Sequence, residues 1–183
     1  MEYRILGRLE AWAGGRQLVL GGLRQRRVLA ALLLSAGRAV PVADLVEAAW
    51  DDDPPATAER QVRNRVAALR SVLTRHGGLI DTVDAGYRLR LGGARLDLAA
   101  FEELAARGRA ARDPVLLREA LGLWRGRAFE EFLDTDFGVA ESHRLAELRL
   151  VALEDRIEAD LRSGRHRELV AETTRAASES FGT

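Results

Sequence analysis

The segment of residues 57–91 limits the possible folds of this chain more than any other. Its first part, residues 57–75, has apolar residues at the spacing of an amphipathic helix. That helix ends at Gly77-Gly78, and residues 79–91 then alternate apolar and polar side chains around a tight turn at Asp84-Ala85-Gly86, which predicts a β-hairpin. The apolar stripe of the helix is made of Val62, Val66, Leu69 and Leu73.

The residues that precede this segment supply two more helices and a small sheet. Residues 3–20 contain strand formers around Gly14-Gly15 and predict short antiparallel strands. Residues 23–36 and 42–50 predict helices, and two prolines that follow the second one cannot lie inside a helix. Three helices followed by a hairpin are typical of a winged helix-turn-helix domain, which we expect over residues 1–92.

The second half of the chain is predicted to be helical throughout. Gly92-Gly93 marks the expected domain boundary, and residues 96–183 form the second domain. Its helices are expected from Asp97 to Arg112, from Pro114 to Trp124 and over residues 137–163, with a last one from about His166. The predicted fold class is therefore an α+β winged helix followed by an all-α, tetratricopeptide-like domain.

The composition excludes several classes of protein. The chain has no cysteine, so it has no disulfide, thiolate metal site or cysteine nucleophile. Its longest apolar run, residues 28–34, is too short to span a membrane, and the N-terminus lacks the apolar core of a secretory signal. We therefore expect a cytoplasmic protein associated with the nucleoid and without membrane contact.

The positive charge comes only from arginine and lies mostly in the first half. The chain has 28 arginines and no lysine. Residues 1–92 hold 14 arginines and 10 acidic residues, a net charge of +4, whereas residues 93–183 hold 14 and 18, a net charge of −4. A guanidinium can pair bidentately with phosphate or guanine, so the first half is the expected partner of a polyanion.

The face of the third helix opposite its apolar stripe is the predicted surface for reading double-stranded DNA. Residues 57–75 carry five arginines and one glutamate, whereas an ordinary solvated face, which is the alternative, would mix the two signs. The guanidinium of arginine can hydrogen-bond to guanine and a side-chain amide can hydrogen-bond to adenine, while small side chains permit close approach of the helix to the bases. The predicted DNA-contact residues of this helix are Thr57, Arg60, Gln61, Arg63, Asn64 and Ser71.

Two further groups of arginines are candidates for contact with the DNA backbone. Arg88 and Arg90 lie two residues apart on the second hairpin strand and thus on one face. Arg24, Arg26 and Arg27 lie in the first turn of the first helix, where the unpaired N–H groups and the helix dipole favour a phosphate. The alternative for both groups is ordinary surface charge.

The sequence offers no catalytic or cofactor motif. The three histidines, His76, His143 and His166, are far apart and lack the spacing of metal ligands, and the glycine pairs lack the lysine of a phosphate-binding loop. We therefore expect neither an enzyme nor a cofactor or metal. The remaining alternative to DNA binding is a helical protein-interaction scaffold, which a gel-shift experiment distinguishes.

Several motifs resemble those of the Streptomyces antibiotic regulatory protein (SARP) family. In the first half the resemblance rests on residues 23–34, on Leu45-Val46-Glu47-Ala48-Ala49-Trp50, on residues 53–58 and on Gly86-Tyr87-Arg88-Leu89. In the second half, residues 121–126 and 153–160 are similar to the bacterial transcriptional activator domain of that family. The chain departs from the family in two ways. Pro41 stands where the family usually has a serine cap, so the second helix is expected to start at a shifted position. The second domain is also shorter than usual.

The resemblance implies an activator that binds direct repeats near a promoter and recruits RNA polymerase. It implies an OmpR-type winged helix, two protomers side by side on the repeats, and control of a secondary-metabolite gene cluster. The loop between the second and third helices, residues 51–56, would face the polymerase and its sigma factor. Its acidic residues, Asp51, Asp52 and Asp53, are the predicted polymerase contacts, with a merely solvated turn as the alternative.

Overall fold

The computed structural model describes residues 1–84 and 86–162. The strands are β1 (Glu2–Arg4), β2 (Glu10–Ala13), β3 (Arg16–Gln17), β4 (Val40–Pro41), β5 (Leu79–Val83), β6 (Gly86–Arg90) and β7 (Arg95–Leu96). The helices are α1 (Leu23–Leu34), α2 (Val42–Trp50), α3 (Ala58–Leu73), α4 (Asp97–Ala111), α5 (Pro114–Leu121) and α6 (Asp136–Arg162). Short 3₁₀ turns follow α3 at Thr74–His76 and precede α6 at Glu130–Phe132.

Contacts group the chain into two compact units. The first unit combines residues 1–100 with residues 124–145, and the second combines residues 101–123 with the described residues from 146 onward. The division therefore does not coincide with the boundary predicted between residues 92 and 96, because a segment of the second half packs with the first hundred residues.

The first unit contains two sheets. The N-terminal sheet has the strand order β3-β2-β1-β7, with antiparallel pairs except for β7, which runs parallel to β1 and pairs Leu96 with Tyr3. The prediction of helices only from Leu96 onward is therefore wrong by one residue, since Leu96 is a buried strand residue. The second sheet has the order β4-β6-β5, and its β5–β6 pair is the predicted hairpin. Ala85, in the predicted turn of that hairpin, lies outside the described residues.

Helices α1, α2 and α3 follow the predicted pattern. The four stripe residues of α3 are completely buried, as their spacing predicts. Leu29, Leu32 and Leu45 from α1 and α2 are also completely buried. Helix α2 begins at Val42, as predicted, and Pro41 occupies its N-cap position, where no N–H donor is needed but no side chain caps the helix.

Residues 124–145 attach to the loop between β1 and β2 through backbone hydrogen bonds. The N–H of Arg125 donates to the carbonyl of Leu6, and the N–H of Phe129 donates to that of Gly7, both at 2.8 Å. Phe129 and Phe132 are completely buried, and their rings lie 5.8 Å apart. The segment between the helices predicted at residues 114–124 and 137–163 thus contributes to the hydrophobic core of the first unit.

The second unit is helical in its described part. Asp113 caps α5 by accepting a hydrogen bond from the N–H of Val115 at 2.8 Å, and Pro114 occupies the first helical position, as predicted. Gly108 of α4 lies so close to Leu117 that an added Cβ would come within 2.7 Å of its side chain. Helix α5 ends at Leu121, three residues before the predicted end, and the predicted helix from His166 lies outside the described residues.

Candidate DNA-binding interface

The outer face of α3 is exposed and carries the predicted polar residues. Arg60, Arg63, Asn64 and Ser71 are all exposed, whereas the opposite face is buried in the core. Within the described residues, the side chains of Arg60 and Asn64 make no hydrogen bond or ion pair. Their side chains are therefore available to a partner without first breaking an internal interaction.

The other predicted residues of α3 make weak local contacts. Arg63 pairs with Glu59 one turn away at 3.0 Å, and the two side chains are 55% and 70% exposed, so the pair contributes little and is easily exchanged for another partner. Gln61 donates to the hydroxyl of Thr57 at 3.1 Å. The hydroxyl of Ser71 donates to the carbonyl of Ala68 in its own helix. Thr57 occupies the N-cap position, but its side chain does not cap the helix.

The hairpin arginines share one carboxylate. Asp81 on β5 lies 2.6 Å from the Nε of Arg90 and 3.6 Å from the Nη2 of Arg88. Both side chains thus lie on one face of the hairpin, as their spacing predicts. Two guanidinium groups beside one carboxylate leave a net charge of +1 at this edge of the unit.

Arg70 fixes the hairpin against α3. Its Nε donates to the carbonyl of Ile80 and its Nη2 to the hydroxyl of Thr82, both at 2.8 Å. Its guanidinium carbon also lies 5.4 Å from the centre of the Tyr87 ring. Arg70 therefore sets the position of the hairpin relative to the outer face of α3.

Two arginines of the first turn of α1 have internal partners. Arg26 donates to the carboxylate of Glu131 and, at 2.6 Å, to the carbonyl of Leu9. Arg27 is buried and donates to the carbonyl of Ala48 and, at 2.6 Å, to Asp51. The expectation that Arg26 and Arg27 hold DNA phosphate does not fit these contacts, because both guanidinium groups are already paired inside the unit.

Arg24, the remaining residue of that turn, is exposed and lies against Trp50 together with Arg65 of α3. The two guanidinium carbons lie 5.5 Å and 5.3 Å from the centre of the Trp50 ring system. Burial, and after it the positive charge of Arg24, lowers the pKa of Arg65. Within the described residues neither arginine pairs with a carboxylate, and the buried Nε of Arg65 has no hydrogen-bond partner.

Arg24 and Arg65 lie next to the N-terminus of α1, which has no side-chain cap. The N-cap residue Gly22 offers no side chain, and the first turn of the helix contains no acidic residue. Sequence reasoning missed Arg65, whose position in α3 lies between the buried stripe and the outer face. The signal that could have found it is the excess of arginine over acidic residues in α3.

Asp51 differs from the two acidic residues that follow it. Asp51 ends α2 with a φ of +54°, and its Oδ1 accepts from Arg27 and, at 3.2 Å, from the N–H of Phe137. Asp52 and Asp53 are exposed and make no hydrogen bond or ion pair through their side chains in the described part of the chain. The prediction that all three carboxylates are free to meet a partner is therefore not supported for Asp51, which has a structural role.

No helix within residues 1–84 and 86–162 is both long and apolar enough to cross a membrane.

Comparison with known proteins identifies two family models in the chain. Residues 16–89 match the family described as "Transcriptional regulatory protein, C terminal", and residues 96–180 match the bacterial transcriptional activator domain. Both are families of transcriptional regulators. The two matches meet near the predicted boundary, whereas the contacts divide the chain differently, so the boundary stays a prediction.

Whole-chain relatives agree with these matches. The regulatory protein DnrI of Streptomyces peucetius is 34% identical over 94% of this chain and 69% of its own length. The regulatory protein AfsR of Streptomyces coelicolor is 36% identical over 95% of this chain, which spans only 18% of the length of AfsR. Among solved structures, Mycobacterium tuberculosis EmbR in complex with a low-affinity phosphopeptide superposes with a TM-score of 0.87 at 27% identity.

The solved EmbR chain matches 98% of this chain, which covers 50% of EmbR. The likeness therefore includes the winged helix, with its exposed α3 face and hairpin, and the helices that follow it. Together, the two family models, the DnrI relationship and this fold show that the chain belongs to the Streptomyces antibiotic regulatory protein family of transcriptional activators, which combine an OmpR-type winged helix with a bacterial transcriptional activator domain.

Proposed function

We propose that this chain binds specific promoter DNA and recruits RNA polymerase to activate a secondary-metabolite gene cluster. Two protomers would lie side by side on direct repeats, as the family resemblance implies. The observation that carries the proposal is the outer face of α3, where Arg60 and Asn64 are exposed and, within the described residues, free of internal partners.

The residues on this face have the chemistry needed to distinguish bases. A guanidinium can donate two hydrogen bonds to the O6 and N7 of guanine, and an amide can pair with the N6 and N7 of adenine in the major groove. Arg60 and Arg63 supply the first group and Asn64 the second, while Ala67 adds no bulk to keep the helix away from the bases. We therefore assign base recognition to these residues, with Gln61, Thr57 and Ser71 at the margin of the interface.

Two arginine clusters flank this face, and their positive charge can bind the phosphates of the DNA backbone. Arg24 and Arg65 lie on one indole without a carboxylate partner in the described chain, and the free N–H groups of α1 begin beside Arg24. Arg88 and Arg90 share the single carboxylate of Asp81. We assign phosphate contacts to these four arginines, and we leave out Arg26 because Glu131 and Leu9 hold it inside the unit.

The loop after α2 is the proposed contact with the sigma factor. Asp52 and Asp53 are exposed and next to two prolines, so the loop is acidic and conformationally restricted. Acidic side chains are repelled by DNA phosphate and attracted by a basic protein surface. Asp51 is excluded from this role because it links Arg27 to Phe137.

The decisive experiment selects DNA fragments from the genome of the source organism with the full 183-residue chain. A repeated motif should be enriched, and fluorescence anisotropy should then measure binding to it. Arg63→Ala should weaken binding to the motif. The matched control is Arg107→Ala, since Arg107 forms an equivalent exposed pair with Glu103 one helical turn away on α4.

Two outcomes of this experiment separate the candidate functions. Weaker binding of the Arg63 variant with an unchanged Arg107 variant supports base recognition by α3. A chain that retains its fold but enriches no motif would overturn the proposal and favour the protein-interaction scaffold.

A further inference from the structure

Asp51, which follows the last residue of α2, has a backbone conformation that residues with a side chain rarely adopt. Its φ of +54° and ψ of −131° lie near the values of about +60° and −120° at the first central position of a type II′ turn, where glycine is usual. The N–H of Asp53 closes this turn by donating to the carbonyl of Trp50 at 3.4 Å. Because the Cβ of Asp51 makes the conformation strained, contacts of its side chain are needed to hold it.

The Asp51 carboxylate supplies these contacts by joining two helices through one oxygen atom. Its Oδ1 accepts from the Nη2 of Arg27 in α1 at 2.6 Å and from the N–H of Phe137 in α6 at 3.2 Å. The Arg27 side chain is buried, so water screens this ion pair less than it screens a pair on the surface. The strained turn is therefore held from α1 and from α6 at once.

The bond to Phe137 also completes the N-terminal cap of α6. The first N–H groups of a helix have no acceptor in a preceding turn, and the hydroxyl of Thr135 accepts from that of Gly138 at 3.1 Å. Asp51 accepts from the N–H of Phe137, and its negative charge at the start of α6 is favourable for the helix dipole. A Cβ added at Gly138 would overlap the carbonyl of Phe132, so this first turn is closely packed. It is a fixed point to which Asp51 is attached.

The loop that follows Asp51 is short and conformationally restricted. Its far end is held by the N–H of Ala58, which donates to the carbonyl of Pro55 at 2.8 Å. Its two consecutive prolines have a φ fixed by their rings. Asp52 and Asp53 are exposed and make no side-chain hydrogen bond or ion pair in the described part of the chain. The direction of these two carboxylates therefore depends on the turn at Asp51.

We infer that Asp51 is a positioning residue, which fixes the acidic loop, residues 52–56, to the first turn of α6. Phe137 lies in the first compact unit but within residues 96–180, which match the bacterial transcriptional activator domain. That domain thus sets how the loop presents its two free carboxylates, independently of the outer face of α3. A shift of the start of α6 changes the presentation of the loop without changing DNA binding. The effect on transcription rests on the proposed polymerase contact, whereas the effect on the loop itself does not.

The first test measures the loop directly by NMR of the full chain. Asp51→Gly favours the turn conformation but removes the carboxylate, whereas Asp51→Asn tolerates the conformation and keeps an acceptor oxygen. In the glycine variant, hydrogen exchange of the Phe137 amide should accelerate at least about tenfold, since a hydrogen bond to a charged group is lost. Nitrogen relaxation should show larger motion of residues 52 and 53. The asparagine variant should keep both properties close to those of the unaltered chain.

The control for backbone strain is Arg112→Gly. Arg112 is an exposed residue with the same φ of +54°, and in the described part of the chain its side chain makes no hydrogen bond or ion pair. Its replacement relieves the same kind of strain far along the chain from the acidic loop. Motion of residues 52 and 53 should therefore be unchanged in this variant.

A second pair of variants removes the link from the side of α6 and keeps the Arg27–Asp51 ion pair. Phe137→Pro lacks the N–H donor, and proline is tolerated in the first turn of a helix. Phe137→Leu loses the aromatic ring but keeps the N–H. The acidic loop should become mobile in the proline variant only, which tests the inference even if the Asp51→Gly chain does not fold.

Transcription then shows what the link does for activation. With Asp51→Gly, promoter affinity should stay within about twofold, because neither Asp51 nor its partners belong to the proposed DNA-binding face. Transcription at saturating promoter occupancy should fall by about tenfold, since the loop is then in the required orientation for a smaller fraction of the time. Asp51→Asn should restore most of it. A purely structural role would instead change affinity and transcription together.

Three results would overturn the inference. The first is a loop that stays as rigid in Asp51→Gly and Phe137→Pro as in the unaltered chain. The second is equal motion in the Arg112 control, and the third is a loss of promoter affinity in Asp51→Gly that accounts for its loss of transcription. If the loop moves as expected but Ala at both 52 and 53 leaves transcription normal, the polymerase contact is wrong while the link between Asp51 and α6 stands.

Discussion

The guanidinium of Arg27 in α1 donates a hydrogen bond of 2.6 Å to the carboxylate of Asp51 at the end of α2. The Arg27 side chain is only 5% exposed, and the same carboxylate accepts from the N–H of Phe137. One ion pair therefore connects two helices of the winged helix with the first turn of α6. Arg27, which the sequence groups with candidate DNA-contacting arginines, therefore has a structural role in joining these helices.

Removal of this junction should destabilise the first unit. Arg27→Met keeps the apolar stem but removes the charged donor of the Asp51 carboxylate, which then keeps only the N–H of Phe137, and the side-chain donor of the Ala48 carbonyl, at a cost of about 1.5–3 kcal/mol. Urea unfolding of the full chain, followed by circular dichroism, measures the change. The matched control is Arg38→Met, which alters an exposed arginine without a partner in the described chain and should cost under about 0.5 kcal/mol. Equal effects of the two substitutions would contradict the assignment.

The aromatic residues of the segment 124–145 should be as important for the first unit as its own helices. Phe129→Ala removes a completely buried ring and should destabilise the fold by about 3–5 kcal/mol. Val115→Ala, on the exposed face of α5, should change the free energy of unfolding little. If the Phe129 variant unfolds with an unchanged midpoint in urea, the segment does not contribute to the stable core.

Base recognition by α3 should appear as a change of specificity. Asn64→Ala should cost about 1–3 kcal/mol of binding free energy if the amide reads a base, and discrimination at one position of the motif should relax. Competition between the selected motif and its single-base variants measures this. Unchanged affinity after the replacement of Arg60, Gln61, Arg63 and Asn64 together would exclude the helix face from DNA recognition.

Phosphate binding should appear as a change in salt dependence. Arg65→Ala and Arg90→Ala should each weaken binding to all DNA sequences alike, and each should lower the slope of log K against log salt concentration by about 0.9 for every phosphate that the variant no longer neutralises. Anisotropy titrations at several salt concentrations give the slope. Arg107→Ala, on α4, should leave it unchanged. Weaker binding confined to one DNA sequence would instead point to recognition of a base.

Activation should be separable from DNA binding at the loop after α2. Asp52→Ala combined with Asp53→Ala should leave DNA affinity unchanged or slightly higher, because repulsion of phosphate is removed. Transcription from the bound promoter in a reconstituted polymerase assay should fall. Asp51 is kept, since its replacement would disturb the junction with Arg27. Normal transcription by the double variant would show that the loop is only a connection.

Local patterns were sufficient for much of the fold. The spacing of apolar residues in α3 correctly predicts its buried side, and the turn and alternation predict the hairpin, because both features depend on residues close together in the chain. Asp113-Pro114 likewise predicts the start of α5 from two adjacent residues.

Contacts between distant residues account for what the sequence did not reveal. Arg26 and Glu131 are separated by 105 positions, and Arg27 and Asp51 by 24, so nothing in the local pattern distinguishes these arginines from the exposed Arg24. The pairing of β7 with β1 and the position of Arg65 on Trp50 also depend on tertiary packing. The outer face of α3 is exposed as its spacing predicts, whereas the phosphate contacts predicted for Arg26 and Arg27 at the start of α1 do not fit their internal partners.

The hydrogen bond from the N–H of Leu9 to Glu131 also sets an order of events during synthesis on the ribosome. The two residues are 122 positions apart, so Glu131 is added about 6 to 24 s after Leu9 at a translation rate of roughly 5–20 residues/s. During that interval the winged helix has left or is leaving the exit tunnel without Phe129 and Phe132, and the apolar surface that will receive them faces water. Slow codons between residues 100 and 124 would prolong this exposure, so we expect them to increase aggregation of the nascent chain even though they change no amino acid.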